Sequence, residues 1–221
     1  MSRFFNVLTA AKENGVKRFV YASSSSVYGD SKGSPKREVE LGKPLSPYAV
    51  SKLTNELYGR IFHDLYGMET IGLRYFNVFG KNQDPNGAYA AAIPKFIGLL
   101  KNLQAPTIFG DGKQTRDFTY IKNVILANEL ALHTNNKNSY GNAYNVACGS
   151  AYSLLDAVNA MKVELAKKGI DLKNVSPVHV AERKGDILNL LADIQAIKRD
   201  LGYGAHYSFQ EGISEYIATC F

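Results

Sequence analysis

The order of apolar runs and breakers in this sequence predicts an α/β protein organised around a doubly wound parallel sheet. Three observations carry that expectation. Arg18-Phe19-Val20-Tyr21-Ala22 is a short, aromatic-rich run that ends in the polar stretch Ser23-Ser24-Ser25-Ser26, which reads as a buried strand feeding a loop. Ser46-Pro47 then opens a long helical segment that reaches about Tyr66 and is closed by Gly67, with proline in the first turn where its missing N–H costs nothing. Thr70-Ile71-Gly72-Leu73-Arg74-Tyr75 is a second strand, and the order strand, helix, strand implies parallel pairing through a right-handed crossover.

The remaining elements follow in chain order. Residues 4–14, FFNVLTAAKEN, space their apolar side chains as a helix does and stop at Gly15. After the second strand come Asn77 and Gly80, a polar loop over 81–89, and a helix over 90–103. Thr107-Ile108-Phe109 is a short strand, Gly110-Asp111-Gly112 a turn, and 121–133 a further helix. Ala143 to Ala147 reads as a strand, 154–168 as an amphipathic helix, and 178–181 as another short strand. No internal repeat or low-complexity linker interrupts the series.

Composition narrows the function classes. With 221 residues, 45% hydrophobic and 21% charged, the chain can bury a sizeable core. No apolar run approaches the length of a membrane span, and Met1 to Phe5 leads into a mixed helix instead of a signal sequence, so a cytoplasmic protein with no membrane partner is expected. The net charge of +6 is spread over scattered lysines without a basic stripe, which argues against nucleic acid. Two cysteines, Cys148 and Cys220, are too few for a disulfide framework, and the four histidines lack ligand spacing, so no metal is expected.

The strongest chemical signal is Tyr48-Ala49-Val50-Ser51-Lys52. Residues four apart share one face of a helix, so the Tyr48 hydroxyl and the Lys52 ammonium can meet at one small site. A phenol is a poor base at neutral pH, and a neighbouring cation moves it toward the working range. The serine run lies one loop upstream and can aim a hydroxyl at the same reacting oxygen.

Together the strand-SSSSVYG loop and the SPYAVSK helix resemble the Ser-Tyr-Lys site of the extended short-chain dehydrogenase/reductases. LRYFNVFGKNQDPNGAYAAAIPKF, IFGDGKQTRDFTYIKNV, YNVACG and ERKGDILNLLADIQAIKRDLGY resemble successive blocks of bacterial UDP-sugar 4-epimerases, those acting on UDP-N-acetylglucosamine or its uronic acid above all. The resemblance covers nearly the whole chain. It implies Tyr48 as base, Lys52 as its partner and anchor of the nicotinamide ribose of NAD, and Ser24 as the hydroxyl partner, with Ser25 as second choice. It also places Tyr75 at the cofactor and Ser25 and Ser26 at the substrate. Asn77 would contact the diphosphate, while Arg116 and Arg183 with Asp186 would hold phosphate and ribose. Leu190 would line the pocket for the sugar 2-substituent, where it crowds an N-acetyl group that the NGAYAAAIP block favours. The acid pair of the related dehydratases is replaced here by the serine run, so epimerisation is expected in place of loss of water.

The resemblance also implies a fold: an incomplete doubly wound, Rossmann-like sheet with a smaller α+β substrate lobe. Residues 1–80 and 118–168 would belong to the NAD-binding domain, and 81–117 and 169–221 to the nucleotide-sugar lobe. The family's opening strand and G-x-x-G-x-x-G turn, which bring backbone N–H groups to the pyrophosphate, have no counterpart in this sequence. A truncated epimerase, with the outer edge of the 18–22 strand bare, is the expectation that follows. A homodimer through the helices at 4–14 and 46–66, or pairing with a full-length relative, is expected as well. The alternatives are a non-catalytic homologue that binds a UDP-sugar or dimerises, and an inactive gene fragment.

Overall fold

The computed structural model describes residues 2–84, 92–182 and 189–221. Its centre is a parallel three-stranded sheet in the order β1 (Arg18–Ser24), β2 (Glu69–Tyr75), β7 (Asn142–Val146). Helix α1 (Ser2–Glu13) leads into β1 through Gly15, and α2 (Pro47–Tyr66) makes the crossover from β1 to β2. Both ends of α2 are stopped chemically. Ser46 accepts from the Ala49 N–H at 3.1 Å with Pro47 in the first turn, and Gly67 closes the other end in the left-handed region.

Strand alternation sorts the sheet's side chains onto two faces. Val20, Ile71, Leu73 and Val146 point toward α4 (Ile121–His133) and pack against Val124, Ala127 and Ala131. Tyr21, Ser23, Thr70 and Arg74 point toward α2, where the Thr70 hydroxyl donates to Gly59 O at 2.7 Å and Arg74 pairs with Glu56. Tyr21 lies between Gly59 and Gly72: a Cβ on either glycine would come within 2.6–2.8 Å of its ring or hydroxyl. The sheet face under α2 is therefore polar, and the face under α4 is apolar. Among the described residues β1 has one strand neighbour, β2, so its other edge carries no partner strand.

A second body is built from short pieces. Strand β3 (Val78–Phe79) pairs in parallel with β6 (Thr119–Tyr120), and β4 (Thr107–Phe109) with β9 (Val178–Val180). Strand β5 (Thr115–Arg116) lies between β10 (Asn189–Leu190), parallel, and β8 (Tyr152–Ser153), antiparallel. Helices α3 (Ala92–Lys101), α5 (Leu154–Ala166) and α7 (Phe209–Ala218) enclose a separate apolar core that includes Phe96, Leu100, Met161, Phe209 and Ile213. Ser153 and Ser208 each begin a helix with a complete capping box. Helix α6 (Gln195–Leu201) returns to the sheet, and Ile197, Leu201 and Tyr203 join the core under α4.

The α/β class and the parallel strand-helix-strand unit expected from the sequence are both present. The expected bounds shift by a few residues, as at β1, which runs on to Ser24. The two-residue strands and the seven-residue α6 are additions, since pieces this short leave no periodic signal, and α7 is an addition that its Ser208–Glu211 capping box and apolar spacing could have shown.

Candidate active site

The carboxyl ends of the parallel strands converge on one place, with Ser24 opposite Tyr75 and Tyr75 opposite Val146. That end of a parallel sheet is where open α/β folds put their ligands. Ser24 turns the chain out of β1 by capping a short 3-10 turn, Ser25–Tyr28, its Oγ accepting from the Ser26 N–H at 3.2 Å. Gly29 ends the turn at φ +52°, with its Cα so close to Lys43 O that a side chain there would overlap it. The turn packs on the start of α2. Ser26 Oγ is buried and finds no hydrogen-bond partner among the described residues.

Tyr48 and Lys52 occupy successive turns of α2. Lys52 Nζ lies 5.7 Å from the centre of the Tyr48 ring and donates to Ala22 O at 3.0 Å, fastening the helix start to the end of β1. The Tyr48 side chain is about half exposed, at 53%. Ser24, Tyr48 and Lys52 are thus gathered at one corner, and Tyr75, the register partner of Ser24, turns its phenol to Asn128 of α4 on the other face of the sheet.

Directly behind the serine turn is a buried polar chain. Ser23 Oγ donates to Glu56, and Arg74 grips Glu56 with a fork, Nε to Oε1 at 2.9 Å and Nη2 to Oε2 at 2.7 Å. Arg74 Nη1 also donates to Glu38 O at 2.9 Å and to the Tyr28 hydroxyl at 3.0 Å, and that hydroxyl donates to Asn145 Oδ1 at 2.6 Å. Burial by itself would lower the pKa of Arg74, but the hydrogen bonds and charge of Glu56 more than reverse this and hold the guanidinium charged. Burial pushes the Tyr28 phenol up to about 12, so it stays neutral.

The second cluster forms around Asp117. Asn77, at φ +32°, donates to Asp117 O at 3.0 Å and accepts from the Thr119 N–H at 3.3 Å. Arg116 is the register partner of Leu190, and the Asp117 N–H donates to Leu190 O at 2.8 Å. Asn77, Arg116 and Leu190 are therefore neighbours, although the Leu190 side chain lies within the core under the sheet. The Asp117 carboxylate has no exposed surface and takes its hydrogen bonds from backbone: Cys148 N–H at 2.9 Å, Gly149 N–H at 3.0 Å and Ala192 N–H at 3.4 Å. Burial raises its pKa to about 6 against the pull of those donors. Burial, then the Asp117 charge, pushes the Cys148 thiol up to about 12, which makes it inert.

Arg183 and Asp186 fall outside the described residues. Sequence reasoning missed Ser23, Glu56, Arg74, Asn145 and Asp117. Two of them had a signal: Arg74 is a charge inside an apolar strand run, and Glu56 lies four residues after Lys52 on the same helix face. Among the described residues no three metal-ligating side chains come together, and no helix is long and apolar enough to cross a membrane.

Comparison with known proteins agrees with this geometry. Residues 3–147 match the NAD dependent epimerase/dehydratase family, and the chain belongs to it. A putative UDP-glucose 4-epimerase of Methanocaldococcus jannaschii is 34% identical over 213 residues, covering 96% of this chain and 66% of that protein. Among solved structures, a UDP-N-acetylglucosamine 4-epimerase from Methanobrevibacter ruminantium, in complex with UDP-N-acetylmuramic acid, superposes with a TM-score of 0.90 at 36% identity, covering 99% of this chain and 67% of that one. A UDP-glucuronic acid 4-epimerase from Bacillus cereus, with UDP-glucuronic acid and NAD, gives 0.84 at 31% identity, over 99% and 67%. The chain spans 61–66% of the length of three curated relatives it matches.

Proposed function

We propose that this chain carries the hydroxyl-activating and substrate-binding residues of a UDP-sugar 4-epimerase, with Tyr48 as base. The observation that carries the reading is the corner where Ser24, Tyr48 and Lys52 meet at the carboxyl end of the parallel sheet, in a chain whose relatives bear epimerase names. Tyr48 would take up the proton of the sugar C4 hydroxyl, with the Lys52 charge beside its ring. Ser24, whose Oγ accepts from the Ser26 N–H, keeps its own hydrogen to offer the same sugar oxygen. Asn77 would contact the diphosphate, Arg116 and Arg183 would hold phosphate, and the Asp186 carboxylate would accept from ribose hydroxyls.

The residues present fit one end of NAD. Lys52 uses one of its three donors on Ala22 O and can offer another to a ribose hydroxyl, and Ser26 Oγ is a buried hydroxyl without a partner among the described residues. Tyr48 and Lys52, with Tyr75 alongside, would hold the nicotinamide ribose. When bound, NAD supplies the reversible oxidation at C4 that lets the sugar turn over and be reduced on its other face. A second reading is a homologue that binds a UDP-sugar without turning it over. The exposed stripe Leu57, Ile61 and Leu65 on α2 supports pairing with a second copy or a full-length relative through that helix.

The test is conversion of UDP-N-acetylglucosamine to its C4 epimer with NAD in excess, followed by NMR of the anomeric proton. The proposal expects turnover that falls about 100-fold or more in Tyr48→Phe while UDP binding is kept. Nucleotide-sugar binding without turnover would favour the second reading. A folded chain that does neither would overturn both.

A further inference from the structure

The serine turn is short, and both of its ends are tied to the same buried ion pair. Ser23, immediately before Ser24, donates to Glu56. Tyr28, the last residue of the turn, accepts from Arg74 at 3.0 Å. Glu56 and Arg74 are joined by their two-point fork, so the residues between Ser23 and Tyr28 are spanned by one rigid brace set between α2 and β2. Tyr28 is also fixed from the opposite side. Its hydroxyl donates to Asn145, which has no exposed surface and whose Nδ2 donates to Lys36 O and Asp193 O, both at 2.9 Å. Asp193 lies three residues beyond Leu190, so one side chain grips both the serine turn and the segment that follows β10.

We propose that Glu56, Arg74 and Asn145 are positioning residues that set the place of Ser24 and Ser26 from behind, without touching substrate. Stability alone does not explain such a pair. Apolar side chains of similar volume would fill the same space at least as favourably, because taking two charges out of water costs about what their attraction returns. What apolar side chains could not do is fix two points of a turn at hydrogen-bond distance. Ser23 is 2% exposed, Glu56 8% and Arg74 4%, so the brace lies buried behind the turn. Its ties at Ser23 and Tyr28 connect it directly to the turn that carries Ser24 and Ser26. What the two serines do for a sugar oxygen rests on the function proposed above; the claim that the brace places the turn does not.

Hydrogen exchange on the full chain, resolved by residue, tests the proposal with two variants. Glu56→Met/Arg74→Met replaces the whole pair and leaves no unpaired charge, and Ser23→Ala removes a single tie with the pair intact. In the double variant the amides of residues 25–29 are expected to exchange about tenfold faster or more, while those of β2 and β7 stay within about threefold of wild type. Ser23→Ala should show the same pattern at smaller amplitude. Turn amides as protected as in wild type in either variant, or equal acceleration across the turn and both strands, would overturn it.

A second arm compares the Kd of UDP-N-acetylglucosamine with that of UDP. The double variant is expected to lose the extra affinity that the sugar confers on wild type, with the Kd for UDP unchanged within about twofold. Retention of that extra affinity in the double variant overturns the proposal. Wild type that binds neither nucleotide refutes the function proposed above, and the exchange measurement then decides the positioning claim alone.

Discussion

The two faces of the central sheet solve the same packing problem with different chemistry. Under α4, Val20, Ile71, Leu73 and Val146 meet Val124, Ala127 and Ala131, and the face is held by apolar burial. Under α2, Tyr21, Ser23 and Arg74 meet Glu56 and two glycines, and the face is held by hydrogen bonds and an ion pair. Apolar burial is non-directional and tolerates small shifts, whereas a forked ion pair tolerates few. The directional face lies behind the serine turn. The comparison teaches that this molecule spends its buried charge where a loop must be held in register, and leaves ordinary apolar packing to hold the layers together.

Breaking the directional face should give the largest effect. Arg74→Met strands the Glu56 carboxylate without its partner and is expected to cost about 3–5 kcal/mol, read from urea unfolding. Truncating the apolar face at Leu73, which is fully buried, should cost somewhat less, about 2–4 kcal/mol for Leu73→Ala. The two losses should separate at the site: Leu73→Ala leaves exchange of the serine-turn amides unchanged, and Arg74→Met accelerates it.

Asp117 sharpens the comparison, because it is a buried carboxylate held among the described residues by backbone N–H groups instead of an ion pair. Its pKa is raised to about 6 in the folded state. A raised acid contributes stability that is fully present below its unfolded value, near 4, and is lost as pH rises through about 6. Against Asp117→Asn, which cannot titrate there, wild type is expected to lose about 2–3 kcal/mol between pH 4 and pH 6.5. A flat difference across that window would mean that the backbone donors carry the charge without cost. No matching titration is expected of Arg74, whose guanidinium stays charged throughout.

Much of this architecture was legible in the residues. The strand at 18–22, the capped helix from Ser46-Pro47 to Gly67 and the strand at 70–75 each carry start and stop signals, and their order implies the parallel pairing found. Tyr48 and Lys52 could be paired because a helix brings i and i+4 together. Asp117 and Asn145 could not be found in this way. Each acts through partners 31 to 117 residues away in sequence, and no local period records a contact closed only by the tertiary fold. Strands of two residues escaped for a related reason, since alternation needs at least four positions to be seen.

The central claim is that the corner formed by Ser24, Tyr48 and Lys52, with Asn77 and Arg116 beyond it, takes a UDP-sugar. Calorimetric titration of the folded chain with UDP-N-acetylglucosamine, run beside Tyr48→Phe and Asn77→Ala, tests it most directly. The account predicts a Kd on the order of micromolar for wild type, nearly the same for Tyr48→Phe, and about tenfold weaker for Asn77→Ala. A cooperatively folded chain that shows no heat of binding at millimolar ligand would contradict it.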